Sequence, residues 1–214
     1  MRTPAARRAA ISTRFRSCSS ATRSSANCAG RSHAGIFCRN SGRNTAALRF
    51  EHLVQINDPL LPLLDELSRE QLWRGLVLRA EQPLQFMLGL EGFAVRAREE
   101  EGSRVTLART LDFGSFCVRD RVHLTPMQET RIQTEAGATW PASRLTIRIE
   151  EPEPDELHLR FIYEFDDEAG AAAGAEARDE LSFQTLELRR QAYRASDLDT
   201  VKRIRDLAQQ GRLG

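Results

Sequence analysis

The feature that most constrains this chain is a change of period at Phe93. From there to Phe165, apolar and polar residues alternate in six successive segments: 93–99, 104–111, 116–124, 130–135, 143–150 and 157–165. A period of two puts every second side chain on the same face of a strand. Turn chemistry separates the segments: Glu100-Glu101-Gly102-Ser103, Asp112-Phe113-Gly114, Thr125-Pro126, Gly137 with Pro141, and Glu151-Pro152-Glu153-Pro154-Asp155. Short links between consecutive strands make an antiparallel meander. Such a sheet must cover its apolar face, and only the last stretch is long enough to do so. From about Arg178 to Gln210, Leu181, Leu186, Leu188, Tyr193, Leu198, Val201, Ile204 and Leu207 recur at helical intervals. Ser196-Asp197 interrupts the pattern, so one kinked helix or two are both open.

Before the meander, Phe50 to Ile56 alternates as a further strand, with Phe50, His52, Val54 and Ile56 on one face, and Asn57-Asp58-Pro59 stops it. Ser68-Arg69-Glu70-Gln71 has the form of a capping box, followed by Leu72, Trp73, Leu76, Val77 and Ala80 at helical spacing. Pro83 ends or redirects that helix, and a second short helical turn through Phe86 and Met87 leads to the loop marked by Gly89 and Gly92. The expected class is α+β: a curved antiparallel sheet of about seven strands, two short helices and a long C-terminal helix enclosing a cavity.

Charge divides the chain in two. Residues 1–47 hold nine arginines and no Asp or Glu, which leaves 22 basic and 30 acidic residues in the remainder although the whole carries a formal +1. An acidic body is a poor partner for phosphate backbones, so nucleic acid is not expected. Arginine outnumbers lysine by 30 to 1, with Lys202 the sole lysine, a bias that reads as GC-rich coding. Residues 1–47 are rich in Ser, Ala and Arg and show no period, so they cannot bury enough surface to offset chain entropy. They read as an organelle transit peptide, a disordered tail, or an extension upstream of a start codon at Leu48. The abrupt onset of pattern at Leu48-Arg49-Phe50 favours the last. The expected domain is therefore 48–214.

Cys18, Cys28 and Cys38 lie in that extension without paired spacing and Cys117 stands alone in the body, so no zinc site or other cofactor is implied. A single cysteine in a body without a secretory leader fits the reducing cytoplasm. No run of 18 or more apolar residues exists to span a membrane. The sequence also lacks G-x-S-x-G, a P-loop, H-E-x-x-H, and a G-x-G-x-x-G following a strand. Hydrolase, nucleotide and zinc-protease chemistry lose their usual support, and oligomeric state is left open.

The order strand, short helices, six strands, long helix goes together with particular residues: Phe50-Glu51-His52, Ile56-Asn57-Asp58-Pro59, Gln71-Leu72-Trp73-Arg74-Gly75-Leu76, Arg79-Ala80-Glu81 and Val118-Arg119-Asp120-Arg121-Val122. In these the chain resembles the AtaL-like subfamily of the SRPBCC or START-like helix-grip superfamily, over about Leu48 to Leu213. Relatives in that superfamily include Bet v 1-like binders, polyketide cyclases and aromatases, and lipid-transfer domains. The resemblance implies a sheet gripping a helix around a cavity, and one fold with many activities implies no more.

Polar residues that share a face with apolar ones would line such a cavity. The inward sets are Phe116, Val118, Val122 and Leu124; Leu145, Ile147 and Ile149; and Leu157, Leu159, Phe161 and Phe165. His52, Arg109, Asp120 and Tyr163 intrude among them. A two-residue turn at Phe113-Gly114 would oppose Arg109 to Val118 and set Arg109 and Asp120 diagonally. Such a pair is more often structural than catalytic. His52 could move a proton, and Tyr163 could donate to a ligand carbonyl, yet satisfied core roles are the commoner ones. Trp73 and Phe86 would belong to the core or roof the cavity, Trp140 would sit at its rim, and His123 and His158 fall on the outer face. The expected partner is a small hydrophobic ligand contacted by His52, Trp73, Phe86, Arg109, Val118, Asp120, Phe161 and Tyr163. The alternative is a polyketide cyclase- or dehydratase-like enzyme that uses the same polar points for acid–base chemistry.

Overall fold

In a computed structural model, the described residues are 48–58, 60, 65–153, 156–166 and 180–214, with side chains of the last helix from 184 onward. The expectations for 1–47, for Pro59, Pro154 and Asp155, for residues 178–179 and for the side chain of Leu181 lie outside them. Seven strands follow one another: β1 (Leu48–Gln55), β2 (Gly92–Glu101), β3 (Arg104–Asp112), β4 (Cys117–Thr125), β5 (Glu129–Thr134), β6 (Ser143–Glu150) and β7 (His158–Phe165). They pair antiparallel in the order β1-β7-β6-β5-β4-β3-β2, so the meander closes by bringing the first strand beside the last. This curved sheet with its long C-terminal helix is the helix-grip fold.

Helix α1 (Arg69–Glu81) begins where the capping box predicts. Ser68 accepts the Gln71 N–H, and the Gln71 side chain accepts the Ser68 N–H, so two orphan donors are satisfied reciprocally. The loop before it is pinned by Asn57, whose amide both donates to and accepts from the Leu67 backbone at 3.0 Å. The second helical turn is a 3₁₀ turn over Pro83–Gln85, slightly earlier than expected, with Phe86 at its end.

Helix α2 (Glu180–Gln209) runs unbroken for 30 residues. The expected interruption at Ser196-Asp197 does not occur, for a local reason. Asp197 turns its carboxylate to a distant hydroxyl instead of competing for its own backbone, and Thr200 Oγ1 donates to the Ser196 carbonyl. α1 and α2 cross at close range through Gly75. A Cβ there would stand 2.7 Å from Ile204, so only glycine lets the helices approach this far. Among the described residues, no helix is long and apolar enough to cross a membrane.

The inner face buries one large cluster around Ile147, Leu159, Phe161, Ile204 and Leu207, and a smaller one around Leu107, Val122 and Leu124. Trp73 packs against both. The outer face is a lattice of ion pairs: Arg49–Glu51, Arg160–Glu51, Arg160–Glu150, Arg148–Glu129, Arg131–Glu129 and Arg144–Glu164. His123 and His158 are half-buried, with His123 against Thr106 of the neighbouring strand and His158 against the Glu156 carbonyl.

The register of β3 and β4 corrects one expectation. Arg109 lies directly opposite Asp120, and Leu107 opposite Val122, because the connection is four residues, Phe113 to Phe116, and not two. Gly114 adopts φ 78° there, its N–H bonded to the Asp112 carboxylate, and the Phe113 N–H donates to the Phe116 carbonyl. The longer turn also moves Phe116 out of β4. It is 45% exposed, stacked on Phe113 and tilted against Trp140. Trp140 is held in place by a hydrogen bond from its indole N–H to the Glu135 carbonyl at 3.1 Å.

Candidate functional site

Alternation along β3, β4 and β7 carries three of the four polar intruders onto the inner face, and β1 carries the fourth. Arg109 and Asp120 form a closed unit. Arg109 donates Nε to Oδ1 at 2.9 Å and Nη2 to Oδ2 at 2.6 Å, and its Nη1 donates to the Ala80 carbonyl at 2.7 Å. Both side chains are almost wholly buried, at 1% and 2% exposure. A bidentate fork with a third donor spent on a helix carbonyl ties β3 and β4 to the C-terminal end of α1.

The second polar group is built across the sheet–helix interface. The Tyr163 hydroxyl stands 2.9 and 2.8 Å from the two oxygens of Asp197, which reaches down from α2. His52 Nε2 lies 3.1 Å from Asp197 Oδ2, a close polar contact whose angles do not make a formed hydrogen bond, so the buried Nε2 has no hydrogen-bond partner. Aromatic rings wall the group: His52 stacks on Phe161, and Tyr163 packs against Phe50 and Tyr193.

Burial sets the protonation of these groups. Asp197 is pushed up to about 7, chiefly by loss of solvent, against the opposing effects of the Tyr163 hydrogen bond and the positive charge of Arg79. Tyr163 is raised far above the ordinary phenol range by burial and by the Asp197 charge. His52 is lowered, first by burial and then by Arg194. Near neutrality the proton in this pair therefore belongs on the carboxyl and not on the imidazole. A carboxylic acid that exchanges its proton near pH 7 beside a neutral imidazole can act in proton transfer.

Beside His52 the surface opens. A cleft of about 700 Å³ runs between the β1 edge and α2, lined by Arg49, Phe50, Glu51 and His52 from the strand and by Glu187, Arg190, Gln191 and Arg194 from the helix. Among the described residues, no group of His, Cys, Asp and Glu is placed to hold a metal ion.

Comparison with known proteins adds the family. The model of one family, AtaL, described as acetylaranotin biosynthesis cluster protein L, matches residues 54–211. The chain belongs to the AtaL family. It falls with that family in the SRPBCC or START-like superfamily. No curated protein matches it by sequence. Among solved structures, the di-domain aromatase/cyclase StfQ of the steffimycin biosynthetic pathway superposes with a TM-score of 0.52 at 8% identity, over 77% of this chain and 52% of that one. This AtaL-family chain thus spans about half of that di-domain protein, and the likeness concerns the fold alone. The Zhui aromatase/cyclase from Streptomyces sp. R1128 gives 0.47 at 14% identity, covering 77% and 94% of the two chains. Ara h 8.0201 gives 0.47 at 9%, covering 77% and 99%.

Of the eight residues singled out in this AtaL-family sequence, Phe161, Tyr163, Arg109 and Asp120 are buried on the inner face, and His52 and Val118 are half-buried on it. Trp73 and Phe86 are half-buried and pack against the core from α1 and the 3₁₀ turn. His52 and Tyr163 meet at Asp197, whereas Arg109 and Asp120 meet each other. Two residues were missed as site candidates, Asp197 and Arg79, although the helical period holds the signal for both. Arg79 lies three residues after Leu76 and seven after Leu72, so it sits on the buried stripe of α1. Asp197 lies four before Val201 and seven before Ile204, on the buried stripe of α2. A charged residue on an apolar helical stripe deserves the same suspicion as one on an apolar strand face.

Proposed function

We propose that this protein holds a small, largely hydrophobic molecule between its sheet and α2, without transforming it. The observation that carries the reading is incomplete burial on an otherwise sealed face. Trp73, Phe86, Val118 and Leu145 are half-buried, although Leu72 on α1, Val122 on β4 and Ile147 on β6 are fully buried. Apolar side chains aimed at the core yet left part-exposed suit a concavity that a ligand completes. In this reading His52, Arg109, Asp120, Phe161 and Tyr163 line or frame the concavity. The polar ones are largely satisfied by one another, as suits recognition by shape with one or two hydrogen bonds. Residues 48–214 are its functional unit, and its place is the cytoplasm, in keeping with the single cysteine of that stretch.

A second reading is favoured by one specific observation, the Asp197 carboxyl that titrates near 7 within 3.1 Å of His52. A cyclase- or dehydratase-like enzyme needs such a proton store to enolise or protonate a poly-β-carbonyl chain. The StfQ aromatase/cyclase shares the fold, and the family description places a member in a biosynthetic cluster, so this chemistry is the rival.

Solvent extraction of the purified protein followed by mass spectrometry separates the two. A container retains an apolar compound unchanged. Its His52→Ala and Tyr163→Phe variants then bind that compound about five-fold more weakly, the worth of one hydrogen bond. Conversion of the compound by the wild type, lost in His52→Ala, would establish the enzyme instead. Retention of nothing apolar, together with no effect of either variant, removes both readings.

A further inference from the structure

One buried charge is left over by everything described so far. Arg79 is 9% exposed, its Nε is fully buried, and its guanidinium makes no hydrogen bond or ion pair with any described residue. A guanidinium does not shed its charge in a protein, so burial cannot be relieved by neutralisation as it is for a carboxyl. An unpaired interior charge is among the least favourable arrangements a fold can keep.

Among the described residues, the two buried carboxylates that could answer it already face other groups. Both Asp120 oxygens are held by Arg109, and both Asp197 oxygens face the Tyr163 hydroxyl. Arg109 adds a second cation within electrostatic reach of Arg79, and its bond to the Ala80 carbonyl fixes it beside the same turn of α1. Among the described residues the buried charges are Arg79 and Arg109 against Asp120 and Asp197, two of each sign, yet no carboxylate oxygen hydrogen-bonds the Arg79 guanidinium, a planar fork shaped for two parallel oxygens.

We infer that Arg79 is the seat for an anionic oxygen group of the carboxylate class, so that the ligand is an amphipathic acid and not a neutral hydrocarbon-like molecule. This rests on the container reading and narrows it. A neutral carbonyl or hydroxyl would supply an acceptor but leave the charge unanswered. A carboxylate supplies both and makes the bidentate contact that no described protein group makes.

The test uses acid–amide pairs of equal shape, 2-naphthoate against 2-naphthamide and laurate against lauramide, titrated calorimetrically into the full-length chain. The wild type should bind the acid of at least one pair about ten-fold or more tighter than its amide, the worth of one charge-assisted bidentate contact. Arg79→Met, which keeps the stem and removes the charge, should bring acid and amide to within about two-fold while leaving amide affinity in place. Arg79→Lys should restore part of the preference. Equal affinity for acid and amide in the wild type overturns the inference, as does a preference that survives Arg79→Met. If the amides still bind in that case, the container reading stands without it. Binding of neither member of either pair overturns both. Should Arg79→Met fail to fold, the wild-type preference and the Arg79→Lys variant decide between the same outcomes.

Discussion

The two faces of the sheet carry the same motif in different media. On the outer face Arg160 donates Nε and Nη2 to Glu150 at 2.8 and 2.9 Å; on the inner face Arg109 donates the same two groups to Asp120 at 2.9 and 2.6 Å. The first pair is 30% and 27% exposed, the second 1% and 2%. Geometry is held constant and solvent is not, so the comparison isolates what burial does to an ion pair. In water both the attraction and the penalty for losing a partner are small; inside the fold both are large. The inner pair is a fastening whose two halves need each other. The outer one is a solvated contact among several.

The largest expected effect breaks the inner pair on one side. Asp120→Ala strands Arg109 in the core and should lower the unfolding free energy by about 3–5 kcal/mol. The double change Arg109→Met with Asp120→Leu removes both charges and should recover most of that loss. Urea denaturation of the three proteins measures it. A loss below about 1 kcal/mol for Asp120→Ala would mean that the inner face is as wet as the outer one.

A second effect, smaller and dependent on pH, belongs to Asp197, which reaches the inner face of the sheet from α2. An unfolded Asp197 titrates at the ordinary value of 3.8, and in the fold at about 7. Between those values the folded chain keeps a proton that the unfolded chain has released. Asp197 therefore adds stability as pH falls from 7 toward 4, and that contribution is absent above 7. His52 acts in the opposite sense, since a lowered folded value makes its contribution drop as pH falls through 6.5. Asp197→Asn removes the first titration and leaves the second. The stability difference between variant and wild type should thus move in the variant's favour by about 2–3 kcal/mol on going from pH 5 to pH 8. Parallel pH profiles for the two proteins would place Asp197 with the ordinary surface carboxylates.

The same contrast explains what could be read from the sequence. Strand order, the capping box at Ser68 and the inward placement of Arg109, Asp120, His52 and Tyr163 follow from local period and local chemistry, and these are written residue by residue. The direct pairing of Arg109 with Asp120 depends on whether the turn at Phe113 takes two residues or four, which alternation cannot decide because either length keeps both side chains on one face. Asp197 looked like a helix breaker because its partner, Tyr163, is 34 residues away in sequence. Its role is set by tertiary contact. Arg79 belonged to a recognisable motif, yet its significance is a missing partner, and absence of a partner is a property of the packed interior alone.

The smallest effect closes the comparison from the outer side. Glu150→Ala removes the carboxylate that Arg160 holds with the same fork as the inner pair, so a purely geometric account of ion-pair strength would assign it a comparable loss. Arg160 keeps Glu51 at 3.3 Å as a second partner, and solvent reaches both ends of the broken contact. The ion-pair contacts lower Glu150 and raise Arg160, led in each case by the hydrogen bonds between them, but screening limits what they add to stability. Glu150→Ala should therefore change the unfolding free energy by less than about 1 kcal/mol, and that change should shrink further in 1 M salt, where charges are screened over about 3 Å. A loss near that of Asp120→Ala, or one insensitive to salt, would show that the fork and not the medium sets the strength. The distinction drawn between the two faces would then fail.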